Sequence, residues 1–209
     1  MKSGLMCADC IKLIEYLPES FIVITDPPFG LKTDPPMLEI ISRLREFVSR
    51  AEVSVVFSDW RSSHLFAQVG NKIGELIWEY GWVSGGRCKV KNGIFPCHNT
   101  LHIFGDKNKV KFVDGSIIKR QAGFSSPRQC SYANKTGHPY EKPVPLMEWL
   151  IDRIQCFCIV DPFMGVGSTM IAAKKRGKDY WGAEIEEQWF KIAQKRINKI
   201  PRNKSKLYG

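Results

Sequence analysis

The 209-residue chain has no apolar run approaching the roughly 18 residues needed to cross a bilayer. Its first ten residues lack the charged-then-apolar pattern of a secretory leader, so a cytoplasmic protein is expected. There is no Gly-Lys-Ser/Thr phosphate cradle, which disfavours an NTPase, and no internal repeat. Seven cysteines are present without the spacing of a zinc finger: Cys7 and Cys10, Cys156 and Cys158, and Cys97 with His98 and His102 form no pair of pairs. No metal is expected, and the odd count reads as reduced thiols rather than a disulfide framework. Acid is the scarcer charge, with Asp and Glu numbering 21 against 31 Lys and Arg, a formal net charge of +10. Such an excess favours a polyanionic partner, because neutralising phosphates releases counterions.

What remains is the composition of an ordinary globular domain, 44% hydrophobic and 25% charged. The length suits one catalytic domain spanning residues 1–209 with a small inserted lobe. Basic charge gathers between Arg87 and Thr136, where Arg87, Lys89, Lys91, Lys107, Lys109, Lys111, Lys119, Arg120, Arg128 and Lys135 meet only Asp106 and Asp114. A solvated basic face and a nucleic-acid-binding segment fit that run equally well until a chemistry is found elsewhere.

Short β-branched runs alternate with helical spacing. Residues 20–25, 53–57, 157–160 and 180–185 read as buried strands, and 37–50, 62–73, 145–154, 169–176 and 187–199 as helices. Residues 75–82 and 99–104 are strand-like. Alternation of this kind predicts an α/β fold, an open and mostly parallel twisted sheet with helices on both faces. Trp60, Trp78 and Trp82 read as packing residues, and His64, His98 and His102 as ordinary polar ones.

Two places carry chemistry. Asp161-Pro162-Phe163-Met164-Gly165-Val166-Gly167-Ser168-Thr169 lies between a strand and a helix, where two glycines allow a tight turn and close approach of a ligand to the helix N-terminus. Glu184 ends the next strand, where a carboxylate can accept hydrogen bonds from both ribose hydroxyls of an adenosine. A glycine turn without a nucleotide is the competing reading. In Thr25-Asp26-Pro27-Pro28-Phe29-Gly30, consecutive prolines fix the backbone, so the Asp26 carboxylate and the Pro27 carbonyl can project as two acceptors. Two acceptors match one amino group, and Phe29 can stack on a flat base. Asp34-Pro35-Pro36 has neither the preceding strand nor the following aromatic and reads as loop.

Thr25 to Gly30 resembles the Asp-Pro-Pro-aromatic catalytic motif of the amino-group DNA methyltransferases, and Asp161 to Thr169 resembles their cofactor loop. His138-Pro139-Tyr140-Glu141-Lys142-Pro143 is similar to their third motif, and Ala8-Asp9-Cys10 to their opening Gly-Asp-Cys. The order, catalytic motif before cofactor loop, is that of the circularly permuted β group. The resemblance implies a Rossmann-like fold binding S-adenosylmethionine, with Asp9 near the adenine amino group, Glu184 on the ribose, and Phe163, Gly165 and Gly167 shaping the pocket. Lys142, Ser168 and Thr169 would hold the methionine end, beside Asp161. It also implies catalysis by Asp26, Pro27, Pro28 and Phe29 on a base flipped out of duplex DNA. The basic segment at about 87–136 would then be a target-recognition insert. Adenine N6 is the favoured target, with cytosine N4 the alternative and a catalytically silent nucleic-acid-binding module of the same fold a further one. Pro96-Cys97 is read as a loop coincidence rather than a cytosine C5 nucleophile. Monomer and homodimer both fit, and the recognition sequence and any restriction partner are not legible.

Overall fold

The computed structural model describes residues 3–28, 36–79, 98–112, 115–118 and 136–201. Among them one sheet contains β1 (Gly4–Cys7), β2 (Ile22–Thr25), β3 (Val53–Ser58), β4 (Lys72–Glu79), β5 (His98–Gly105), β6 (Ile117–Ile118), β7 (Cys158–Asp161) and β8 (Asp179–Glu184), in the order β1-β8-β7-β2-β3-β5-β4-β6. The run from β1 to β3 is parallel throughout, whereas β5 is antiparallel to both β3 and β4. The helices are α1 (Met37–Val48), α2 (Ser63–Phe66), α3 (Val144–Ile151), α4 (Ser168–Lys175) and α5 (Glu187–Asn198), and a 3-10 helix covers Cys10–Tyr16.

Strand alternation sorts the apolar residues onto two faces. Ile22, Ile24, Val53, Val55, Phe57 and Ile159 pack with α3, α4 and α5. On the opposite face Val23, Cys158 and Val160 pack against Leu13 of the 3-10 helix and Phe47 of α1. Val56 joins Ile40, Leu44 and Phe66 of α1 and α2 in a neighbouring cluster on that face. Both faces are therefore covered, as buried, mainly apolar parallel strands require. The chain travels outward from β2 through α1 to β3, and in the other direction from β7 through α4 to β8. The β2–β7 pair, in register at Ile22 with Ile159 and Val23 with Val160, is the point where the winding reverses. A crevice opens there beyond the carboxyl ends of the strands, the usual binding place of such sheets.

Several local expectations change. The helix read over 62–73 is only Ser63–Phe66, and its expected last residues, Lys72 and Ile73, belong to β4. The edge strand β1 is half-buried and owes its existence to pairing with β8, where Gly4 lies against the Trp181 ring, which an added Cβ would overlap. Trp78 is buried as expected, but Trp60 is not a packing residue: 59% of it is exposed. The described cysteines are free, and burial pushes the thiols of Cys10 and Cys158 up to about 12 and that of Cys156 to about 11, fitting their use as small apolar groups. No helix among the described residues is long and apolar enough to cross a membrane.

Candidate active site

The crevice is a cavity of about 430 Å³ that takes in both the prolyl turn after β2 and the glycine turn after β7. The two turns are tied at their roots, where Thr25 Oγ1 donates to Asp161 Oδ1 at 2.7 Å. Phe163 N donates to the same oxygen at 3.1 Å, so Asp161 fixes the first residues of the glycine turn as well as its distance from the prolyl turn. Burial raises the Asp161 carboxyl to about 6 despite the donors Thr25, Thr169 and Phe163, and nearby Asp26 adds to the rise.

Asp26 stands at the base of the crevice. Its Oδ2 is paired with Lys142 Nζ, while its buried Oδ1 has no partner among the described residues. Burial raises the Asp26 carboxyl above the ordinary range, and the Lys142 ammonium opposes the rise. The same ammonium lies 5.5 Å from the centre of the Phe57 ring, an attractive placement for a cation over a π face. Pro27 is buried and Pro28 exposed. Phe29 lies outside the described residues.

The glycine turn needs its glycines: Gly165 has φ of +51° and Gly167 of +82°, the left-handed region that side-chain-bearing residues avoid. Gly167 also caps α4. Glu184 closes the far wall, its Oε2 accepting from Gly165 N at 3.0 Å and its Oε1 from Glu186 N at 2.8 Å. Burial raises the Glu184 carboxyl, against these backbone donors. Ser168 Oγ is buried with no partner among the described residues, so the crevice holds a second polar atom awaiting one.

Asp9, Lys142, Asp161, Phe163, Gly165, Ser168, Thr169 and Glu184 all line the crevice with Asp26, Pro27 and Pro28. Gly167 lies behind it, against Ala193 and Ile197 of α5. Asp9 is engaged twice, accepting from Ile11 N at 3.1 Å and pairing with Arg43 Nη2 at 2.8 Å. The basic residues are not brought to the crevice where they are described. Lys109 Nζ pairs with Glu52 Oε1 at 2.5 Å, just before β3 begins, and Lys111 N donates to Arg153 O at 2.8 Å. Lys107 begins the same short turn, so these lysines sit at the edge of the sheet opposite Asp26. Arg87, Lys89, Lys91, Lys119, Arg120, Arg128 and the Pro96-Cys97 pair lie outside the described residues.

Sequence reasoning missed the support behind the third motif. Arg196 of α5 donates through Nη1 to Val166 O at 2.7 Å and through Nη2 to Glu141 Oε1 at 2.6 Å. Glu141 Oε2 accepts from Thr136 Oγ1 at 2.6 Å, and the His138 ring stands edge-on to Trp189, also on α5, at 4.7 Å. The last helix thus locks the segment carrying Lys142 against the glycine turn. Arg43 was also missed, since the spacing of α1 marks its apolar stripe and says nothing of what its polar side reaches.

A crevice at the reversal of a parallel sheet, with a glycine turn under a helix and an acid ending the next strand, defines an α/β domain built to bind a nucleotide-like molecule. The model of the DNA methylase family of N6/N4 methyltransferases matches residues 77–195, more than half of the chain, and the chain belongs to that family. YubD of Escherichia coli (strain K12) is 23% identical over 93% of this chain and 89% of that protein. The type II methyltransferase M2.LlaDCHI of Lactococcus lactis subsp. cremoris is 32% identical over 47% of this chain and 37% of its own length. The crystal structure of the M1.HpyAVI-SAM complex superimposes with a TM-score of 0.73 at 23% identity, covering 94% of this chain and all (100%) of that one. The cytosine-N4-specific PvuII DNA methyltransferase gives 0.71 at 16% identity, covering 97% and 88%. At these identities the structural likenesses speak for the fold.

The buried Asp161 makes stability depend on pH. Its folded-state value of about 6 lies above its ordinary 3.8, so the native state holds the proton more tightly than the unfolded chain. Ionising it therefore costs stability as pH rises through that window. Asp161→Asn keeps the Oδ1 acceptor without the charge. Relative to this variant the natural chain should lose stability between about pH 4 and 6, by on the order of 3 kcal/mol at roughly 1.4 per unit, and the gap should then stay constant. Denaturant unfolding of both proteins across that range checks it, and parallel pH profiles would show that Asp161 carries no such cost.

Proposed function

We propose that this chain transfers a methyl group from S-adenosylmethionine to the exocyclic amine of a base flipped out of duplex DNA, with adenine N6 the favoured target. One observation carries the reading: the prolyl and glycine turns share a single crevice, held together by the Thr25 to Asp161 hydrogen bond. A direct displacement needs its two reactants side by side, and this arrangement supplies two adjoining sites.

The residues suit the donor. The cavity has a volume typical of small-molecule sites. Glu184 offers a carboxylate for ribose hydroxyls, and Ser168 Oγ is a buried polar atom without a partner among the described residues. Asp9, Phe163, Gly165 and Thr169 complete the surround, with Gly167 behind the turn. S-adenosylmethionine would supply an electrophilic methyl group on a sulfonium, the N–C bond forming as the S–C bond breaks, with neutral S-adenosylhomocysteine as the leaving group and one proton of the methylated amine lost to water.

The chain's own part is alignment and charge. The amine of a nucleobase is a poor nucleophile because its lone pair is delocalised into the ring. Hydrogen bonds from that amine to Asp26 Oδ1 and the Pro27 carbonyl favour a pyramidal nitrogen, and the carboxylate then stabilises the positive charge that develops there. Lys142 opposes the protonation of Asp26 that burial favours and pairs with Oδ2, so that Oδ1 is the oxygen left for the base. Lys142 lines the crevice and would be a partner for the methionine carboxylate of the donor. Phe29 is the aromatic for stacking, beside Pro28. Phosphate contact falls to Arg87, Lys89, Lys91, Lys119, Arg120 and Arg128 rather than to the lysines engaged at the opposite edge. Aspartate at position 26 leans towards adenine, since the cytosine N4 enzymes often resemble Ser-Pro-Pro there.

Incubating the chain with methyl-labelled S-adenosylmethionine and bacterial DNA, then digesting the DNA to nucleosides, tests the whole reading. N6-methyladenine is the expected product. N4-methylcytosine would redirect the target, and an absence of labelled nucleoside from any DNA would end the proposal.

A further inference from the structure

We propose that Trp60 is a DNA-contacting residue that stacks on a base face exposed when the target leaves the duplex. This inference rests on the methyltransferase reading and adds to it a specific contact outside the cofactor and amine sites.

The argument begins with register. β2 and β3 run parallel with Thr25 opposite Val56, so the chain after β3 emerges at the same edge of the sheet as the prolyl turn, one strand away. Asp59, Trp60, Arg61 and Ser62 form the turn that follows. That turn is pinned through one buried carboxylate. Asp59 Oδ1 accepts from Ser62 N at 3.0 Å and Ser62 Oγ at 2.6 Å, while Oδ2 accepts from Arg61 Nε at 2.7 Å and Nη2 at 2.5 Å. Ser63 N closes the turn onto Asp59 O at 2.9 Å.

Between these fixed residues sits an indole that is 59% exposed and makes no ring contact or hydrogen bond with any described residue. Large aromatic surface held out in water on an anchored backbone has no role in packing; Trp78 shows what a packing tryptophan does in this chain, with 1% exposed. The edge of the sheet at issue is the one where a base must reach Asp26, and the chain carries a net charge of +10. Extraction of a base leaves the faces of its neighbours unstacked, and a flat indole restores a stack without reading sequence. Arg61 fits the same partner: Asp59 occupies Nε and Nη2, which leaves the two N–H groups of Nη1 for a phosphate oxygen.

The test uses the full chain and its Trp60→Ala and Trp60→Phe variants. Binding of a short fluorescein-labelled duplex is followed by anisotropy with sinefungin present, and KM is measured for methylation of bacterial genomic DNA. Trp60→Ala should weaken duplex binding and raise the DNA KM on the order of ten-fold, with donor affinity and melting temperature unchanged, and Trp60→Phe should recover most of the loss. If natural chain and Trp60→Ala methylate DNA with the same KM, the stacking role is overturned while the enzyme reading stands. If the alanine variant instead turns a dimer into a monomer by sedimentation, the indole belongs to a contact between copies and the proposal falls. A natural chain that methylates no DNA would bring down both readings together.

Discussion

Asp26→Asn should lower the rate of methyl transfer at least about a hundred-fold, the scale on which removal of a single preorganised electrostatic contact is felt. The substitution keeps the shape of the side chain and an oxygen able to accept from an amine. What it removes is the negative charge facing a nitrogen that becomes positive. It also removes the negative charge paired with Lys142, whose side chain is only 9% exposed. Donor affinity, measured by calorimetry with sinefungin, should persist, because the glycine turn and Glu184 are held by contacts that do not involve Asp26. Unchanged turnover in Asp26→Asn would remove this carboxylate from the mechanism. Since burial raises the Asp26 carboxyl, its protonation should also cut turnover at a pH above the usual carboxylate range, and the acid limb should vanish from whatever residual activity the asparagine variant retains.

The second large effect is on stability. Gly167 combines a φ of +82° with neighbours at 3.0 Å (Ile197 Cδ1) and 3.1 Å (Ala193 Cβ) from an added Cβ. Valine there meets both penalties, backbone strain of about 1–3 kcal/mol and overpacking of similar size. At roughly 2–4 °C per kcal/mol for a chain of this length, Gly167→Val should melt on the order of 10 °C lower. The damage should also reach the crevice, because displacing α5 pulls Arg196 away from Val166 O and Glu141. Gly165→Val makes the informative contrast. Its added Cβ would meet only the His138 ring, at 3.5 Å, so the cost is the strained φ and the space taken from the crevice. Calorimetric melting and sinefungin titration of the pair should show Gly167→Val dominated by stability and Gly165→Val by donor affinity. Equal melting temperatures would mean that the turn relaxes where the packing says it cannot.

The parts legible in the sequence were those set by local physics. Ile22 to Thr25 and Val53 to Ser58 are strands because buried β-branched runs have little else to do, and both glycines of the turn sit at positive φ as their spacing implied. The covering of both faces followed from alternation alone. What escaped was decided by partners distant in the chain. β1 is a strand because β8 is there to pair with it, and Gly4 is tolerated because Trp181 lies across it. The spread of Lys107, Lys109 and Lys111 suggested one basic surface with the rest of the segment, but Glu52 and the backbone of residues 153–155 hold that turn at the far edge. Trp60 looked like core because tryptophan usually is, and only the depth of its neighbours reveals that it faces water. Lys142 was legible as a site residue, whereas its pairing with Asp26 depends on a contact spanning 116 positions.

The reversal at β2 and β7 also bears on how such a chain could be rearranged. Each half of the sheet grows away from that seam on its own, and α5 packs onto β1, so the first and last described segments border one another. A gene that joined those borders and opened a loop elsewhere would list its motifs in another order yet rebuild the same meeting of turns. The site does not fix the sequence order of the two motifs, and the chemistry asks only that their strands lie side by side.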